Sequence, residues 1–263
     1  MPSSFRQRLL AGRAAHGAFL FLGSAEVAEV MALAGYDFLI VDREHVAAGP
    51  DAALAALRAI RSVNPDIAVL ARLNAVTPGE VKPLLDAGFD GLIAADLRGV
   101  DEARALVQAA HYPPLGRRGA QFTVSRAARF GLDPDPVARA RAGTLLIGSI
   151  ESRAGLEAIA DIAAVEGMDG LFIGPLDLSA DFGRFGDLTH PDLAHSIARA
   201  EALIRASGRL LCGPTLPGQA VPALFARGYG LVTSACDTVL LRDAARAAVA
   251  AAQSLNERAP GHD

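Results

Sequence analysis

At 263 residues, 51% hydrophobic and 21% charged, the chain can bury a large core, which excludes a disordered protein. A formal net charge of −4 offers no general attraction to nucleic acid or anionic membranes. Cys212 and Cys236 have no paired-motif spacing, no charged-then-apolar leader opens the chain, and no apolar run is of membrane length, so a cytoplasmic protein is expected.

Taken in chain order, the apolar pattern predicts eight short strands, at residues 18–22, 38–41, 67–71, 91–94, 144–150, 170–173, 209–212 and 230–232. They alternate with helical patterns at 25–34, 52–62, 78–87, 101–110, 153–160, 191–206, 218–226 and 237–254. This alternation predicts parallel βαβ units, and eight of them over this length predict one α/β domain closed as a barrel. The rival is a doubly wound open sheet, which would normally carry a glycine-rich loop after its first strand. Leu22-Gly23-Ser24-Ala25 supplies one glycine only. Gly35, Gly88, Gly208 and Gly228 each follow a helical pattern, where a left-handed residue closes the last turn. Thr77, Pro78 and Glu80 predict a capping box. Two segments break the alternation, the excursion at 112–142 and the loop at 181–190, and both are candidate lids over a barrel rim. The polar tail at 256–263 is expected to fray.

Four predicted strands end in polar residues fit for chemistry. Residues 38–41 run into Asp42-Arg43-Glu44-His45, and 67–71 into Arg72. Residues 144–150 run into Glu151, and 170–173 into Gly174-Pro175-Leu176-Asp177. In a β/α barrel these residues converge on the catalytic rim. Glu151 and Asp177 suit a hard divalent cation, although acids at helix starts are common for purely structural reasons. His45, with Asp42 and Glu44 beside it, has the makings of a general base; an exposed loop histidine is the plainer reading. Arg72 fits an oxyanion or an internal ion pair to Asp42, Glu44 or Asp86 equally well. The remaining histidines, His16, His111, His190, His195 and His262, read as structural. Arg117 and Arg118 read as solvated loop residues, and the phenylalanines as core filling.

At these residues the chain resembles the HpcH/HpaI aldolase/citrate lyase family, most closely its metal-dependent class II pyruvate aldolases. The matching blocks include Ala34-Gly35-Tyr36-Asp37-Phe38, Asp42-Arg43-Glu44-His45 and Leu84-Leu85-Asp86-Ala87-Gly88. They continue through Tyr112-Pro113-Pro114-Leu115-Gly116-Arg117-Arg118-Gly119, Glu151-Ser152-Arg153-Ala154-Gly155-Leu156, the run at 165–179, and Asp237-Thr238-Val239-Leu240-Leu241. Their order across nearly the whole chain makes them specific.

The resemblance implies a modified TIM barrel with Glu151 and Asp177 holding Mg²⁺, Mn²⁺ or Co²⁺. It implies that Arg72 contacts the pyruvyl oxygen, that His45 is the acid/base supported by Asp42 and Asp86, and that Ser149 and the backbone at Gly174, Pro175 and Leu176 meet the substrate. It further implies cleavage of a 4-hydroxy-2-oxo acid to pyruvate and an aldehyde, in a homo-hexamer assembled as a trimer of dimers with an exchanged C-terminal helix. Lys82, the only lysine, sits in a helical pattern, which speaks against a Schiff-base aldolase. The chain departs from the family pattern at Ser149, where glutamine is usual, and at Ala95-Asp96, where proline–methionine is common. Phe19 replaces a tryptophan, and Arg43 is bulky for its position. Two other readings are an acyl-CoA lyase of the citrate lyase β-subunit type, and a catalytically silent member that binds a 2-oxo acid.

Overall fold

The computed structural model describes residues 3–258. Its strands are β1 (Ala15–Leu20), β2 (Phe38–Asp42), β3 (Ala68–Leu73), β4 (Gly91–Ala94), β5 (Leu145–Ile150), β6 (Gly170–Ile173), β7 (Leu210–Pro214) and β8 (Tyr229–Cys236). All neighbours pair in parallel, and β8 returns to β1, closing the barrel. Helix α1 (Phe5–Leu10) precedes β1; α2 (Ala25–Ala32), α3 (Pro50–Val63), α4 (Pro78–Ala87) and α5 (Val100–Ala110) follow β1 to β4 in turn. Helix α6 (Pro136–Gly143) leads into β5, which is followed by α7 (Arg153–Glu157) and α8 (Ile159–Ala164). Then come α9 (Pro175–Asp181) and α10 (Pro191–Ala206) after β6, α11 (Val221–Ala226) after β7 and α12 (Asp237–Arg258) after β8. The predicted TIM barrel is the observed fold.

Side chains alternate across each strand, so one period-2 rule fills two cores. Phe38 and Ile40, Ala68 and Leu70, Leu145 and Ile147 point into the barrel, with Phe5 and Leu9 of α1 among them. The Phe5 and Phe38 rings lie 5.8 Å apart. Leu39, Val41, Val69, Leu92, Leu146 and Leu171 point outward beneath the helices. Gly17 is small by necessity, since a Cβ there would sit 2.6 Å from the Phe38 ring.

The N-terminal face is tied by a repeated device. Asp37, Asp90 and Asp169 immediately precede β2 and β4, or stand just before β6, and each accepts a backbone N–H from the preceding strand. The donors are His16, Val69 and Leu146, at 2.9, 2.7 and 3.0 Å. Each aspartate also donates its own N–H to the carbonyl of that same residue, at 2.8–2.9 Å. Asp169 additionally takes a bidentate contact from Arg6, which ties α1 to the barrel floor.

Several boundaries differ from expectation. β1 begins three residues earlier than the apolar run, because His16 joins the ladder, and β8 runs on through the polar Thr233 and Ser234 to Cys236. The short helices α1, α6 and α9 lacked a long enough apolar period to be read, and the pattern at 153–160 breaks into two helices at Ala158. Gly88 closes α4 with φ 101°, as expected. Thr77 does cap Glu80 N, at 3.3 Å, but the Glu80 carboxylate goes to Arg43 at 2.7 Å. The excursion at 112–142 is not a lid over its own rim. It joins the end of α5 to the start of β5, at the barrel floor, and there Ala127 N donates to Asp86 O at 2.9 Å. The loop at 181–190 does follow a strand's C-terminal end, and its Leu188 lines the rim cavity. Of the tail, residues 256–258 continue α12, while the rest of it lies outside the described residues.

Candidate active site

The two-residue period that fills the barrel also delivers its rim. Phe38 and Ile40 are followed in phase by Asp42, and Ala68 and Leu70 by Arg72. Leu145 and Ile147 are followed by Ser149 and then Glu151. Asp42 and Arg72 are direct register partners across β2 and β3. Phe19, Phe172 and Thr233 arrive by the same phase on β1, β6 and β8. The rim encloses a cavity of about 460 Å³ bounded by, among others, His45, Arg72, Glu151, Asp177 and Phe21.

Arg72 is the hub. Its Nε donates to Asp42 Oδ1 at 2.5 Å, and Nη1 lies 3.1 Å from Glu44 Oε2. The guanidinium carbon stands 4.9 and 5.7 Å from the centroids of Phe19 and Phe21. Nη2 is buried and has no hydrogen-bond partner among the described residues. A buried N–H⁺ donor left unpaired is costly, so this atom is a ready donor to an incoming oxygen. The internal ion-pair reading of Arg72 is realised with Asp42 and Glu44, and Nη2 is left over as a donor.

Asp42, almost wholly buried, uses its second oxygen to accept His45 N at 2.8 Å. It therefore sets the backbone of His45, not its ring. The imidazole remains well exposed, with Nε2 3.7 Å from Glu44 Oε2. Glu44, given only a supporting part in the sequence reading, is brought among the acids. Burial raises its carboxyl above the usual range, and Asp42 and Asp177 add to this, while Arg72 and His45 oppose it. Glu151 is pushed up to about 7, first by burial and then by the charges of Glu44 and Asp177, against the Ser149 hydrogen bond and Arg72. Ser149 Oγ donates to Glu151 Oε1 and also lies 3.3 Å from Phe172 O.

Gly174 allows this packing: a Cβ there would lie 2.4 Å from Glu151 Cγ. With Pro175 and Leu176 it forms the entry of α9, whose first-turn N–H groups lack helical partners. Among the described residues no three His, Cys, Asp or Glu side chains form a complete ligand set. Glu151 and Asp177 nevertheless suit a hard cation that completes its shell with water and substrate oxygens. Such an ion would offset both the burial of Glu151 and the negative charge of Glu44 and Asp177 near it.

Asp86 is not brought to this rim within the chain. It sits in the last turn of α4, at the barrel floor, where it takes Arg118 Nη2 at 2.5 Å. Arg118 is correspondingly buried, with its guanidinium 4.6 Å from the Tyr112 ring centroid, and is no solvated loop residue; Arg117 is exposed. Asp96 follows β4 in a left-handed conformation, φ 42°, and binds Arg98 at 2.6 Å. Two features escaped sequence reasoning. Phe19 and Phe21 wall the cavity, Phe19 packing on the barrel-interior core from above, and buried Asp237 accepts Phe21 N and Leu22 N at 2.9 and 3.0 Å. An acid directly between a strand and a long helix was the available signal for Asp237.

A closed barrel with ionisable groups gathered at its C-terminal rim defines an enzyme of the TIM-barrel class, with its site where that fold places it. Residues 16–252 match the family model for HpcH/HpaI aldolase/citrate lyase, and the chain belongs to that family. It is 35% identical over 256 residues to a hydroxypyruvate/pyruvate aldolase of Roseovarius nubinhibens, covering 94% of this chain and 96% of the relative. It is 36% identical over 250 residues to a 4-hydroxy-2-oxo-heptane-1,7-dioate aldolase of Escherichia coli, covering 95% of each. A solved family member from Burkholderia cenocepacia superposes with a TM-score of 0.87 at 34% identity, covering 94% of this chain and 98% of that one.

Proposed function

We propose that this chain is a carbon–carbon lyase, a divalent-cation-dependent aldolase that cleaves or forms the C3–C4 bond of a 4-hydroxy-2-oxo acid. The products of cleavage are pyruvate and an aldehyde. The carrying observation is the unclaimed, buried Nη2 of Arg72 beside Glu44, Glu151 and Asp177. A cationic donor poised next to a cluster of acids suits a substrate oxygen that gains negative charge during the reaction.

In cleavage His45 takes the C4 hydroxyl proton, C4–O becomes the carbonyl, and the C3–C4 pair passes into the pyruvate enolate. Protonation at C3 then completes the methyl group. Asp42 positions His45 through its backbone and holds Arg72, whose Nη2 donates to the pyruvyl oxygen. The turn at Gly174, Pro175 and Leu176 receives the pyruvate carboxylate, with Leu176 N–H as its donor, since Gly174 N already donates to Ile150 O and proline has no N–H. Glu151 and Asp177 would hold the cation, with Ser149 orienting Glu151. When bound, Mg²⁺, Mn²⁺ or Co²⁺ supplies Lewis-acid stabilisation of negative charge.

Asp86 stands at the opposite face of the barrel from its own His45, so any support it gives there comes from a neighbouring copy. This fits a homo-hexamer, and the apolar Leu240, Leu241 and Val249 left exposed on α12 support exchange of that helix between copies. Two unbridged cysteines and the lack of any described helix able to cross a membrane accord with a cytoplasmic setting.

Pyruvate release from a panel of 4-hydroxy-2-oxo acids, with each ion and with chelator, tests the assignment. Activity that survives exhaustive chelation would remove the cation from it. Exchange of pyruvate methyl protons in deuterated water reports enolisation, and its absence with every ion would favour the silent, binding-only member.

A further inference from the structure

The rim is asymmetric in a way that bears on the second product. We infer that the aldehyde half of the substrate is uncharged and apolar, aromatic or branched aliphatic, and lies against the wall formed by β7, β8, β1 and the start of α12. This deepens the aldolase reading and rests on it.

The cavity of about 460 Å³ exceeds what pyruvate fills, and its remaining wall carries no charge. Phe19 and Phe21 stack with centroids 5.4 Å apart and planes 9° from parallel, and Phe172 meets Phe19 edge-on at 6.3 Å. Pro214, Leu216 and Val239 complete the apolar side, and its polar groups, such as Thr233 and Ser234, are neutral. Among the described residues lining the cavity only His45 and Arg72 are basic, and the reaction already employs both. A carboxylate on the aldehyde would therefore be desolvated against rings with no cation from this chain's described lining to meet it, whereas a ring or branched chain buries its own surface there.

The wall is also held in place. Asp237 accepts the N–H groups of Phe21, Leu22 and Thr238, fixing the end of β1 against the start of α12. Rigid aromatic surface discriminates better than mobile surface because less ordering is lost on binding. The Escherichia coli relative is named for a dicarboxylic substrate; among the described residues lining this cavity, no cation beyond His45 and Arg72 stands ready for a second carboxylate.

The test runs in the direction of aldol addition, with pyruvate and Mn²⁺ saturating. The acceptors are phenylacetaldehyde and 3-methylbutanal against 4-oxobutanoate and glyoxylate, with pyruvate methyl exchange in deuterated water measured alongside. The expected result is a kcat/KM about tenfold to a hundredfold higher for the apolar acceptors. Phe21→Ala should lower the ratio of phenylacetaldehyde to glyoxylate by about tenfold. Leu216→Arg, placed in a loop where folding is tolerant, should shift the ratio towards 4-oxobutanoate by a similar factor. Methyl exchange with a wild-type preference for carboxylate-ended acceptors overturns this inference while leaving the aldolase reading intact. An apolar preference that neither variant moves overturns the assignment to this wall. No exchange with any ion overturns the aldolase reading, and this inference with it.

Discussion

The half of the rim built by β2, β3, β5 and β6 and the half built by β7, β8 and β1 rest on the same two-residue period but end in opposite chemistries. The first delivers Asp42, Arg72, Ser149 and Glu151, and the groups there fix one another: Asp42 holds Arg72 and His45, and Ser149 holds Glu151. The second delivers rings, prolines and neutral hydroxyls, and it is fixed by one buried acid, Asp237, acting on backbone. An ionised group needs partners to be buried at all, so the charged half is a network in which each removal exposes another group's cost. The apolar half is a surface whose parts contribute nearly independently. Single substitutions should therefore be severe in the first and graded in the second.

The largest effect is expected at the acids. Glu151→Gln and Asp177→Asn should each lower pyruvate release by about 10²–10³-fold or more. Each should also abolish the rise in melting temperature on adding Mn²⁺. If either variant keeps both properties, the charged half is not a cation site. Arg72→Lys keeps the charge but loses the planar fork that serves Asp42, Glu44 and the open Nη2 position together. A loss of about 10²-fold, mainly in kcat, is expected; a pure KM effect would assign Arg72 to binding alone.

A smaller effect should follow Gly174→Ala. Its Cβ would strike Glu151 Cγ, so the carboxylate must shift, and Mn²⁺ affinity should fall by about tenfold in a folded protein. Titration calorimetry measures this directly.

The subtlest prediction concerns pH. Glu151 has its carboxyl raised from 4.5 to about 7, so without divalent ions the folded chain holds that proton more tightly than the unfolded one. Its favourable contribution is then lost as pH rises from about 4.5 to about 7. Glu151→Gln should accordingly gain melting temperature relative to wild type across that window and exceed it at pH 8 in chelator. Adding Mn²⁺ should reverse the order, because the ion binds only the wild-type carboxylate.

Much of this arrangement was legible in the chain. The barrel followed from eight apolar runs separated by helical patterns, and the charged half-rim from polar residues closing those runs. Asp42, Arg72 and Glu151 could be placed because burial period and rim position depend only on counting along a strand. The apolar half was not legible, since a phenylalanine that walls a cavity and one that fills a core have the same composition and the same phase. Phe38 opens β2 at the floor while Phe19 lies next to the C-terminal end of β1, and a first strand predicted at 18–22 placed Phe19 near its start instead. The place of Asp86 was legible too, because the helix at 78–87 follows a barrel strand and its last turn must return to the floor, away from its own His45.

The sequence by itself determined the fold, the period that aims side chains inward, and the residue types that arrive at the rim, because these depend on local alternation and chain order. Tertiary structure decided the partnerships. It left Arg72 one donor unclaimed, added Glu44 to the acids, and set rings against charges across a single cavity. Those outcomes turn on distances between strands far apart in the chain, which barrel closure fixes and no local pattern records.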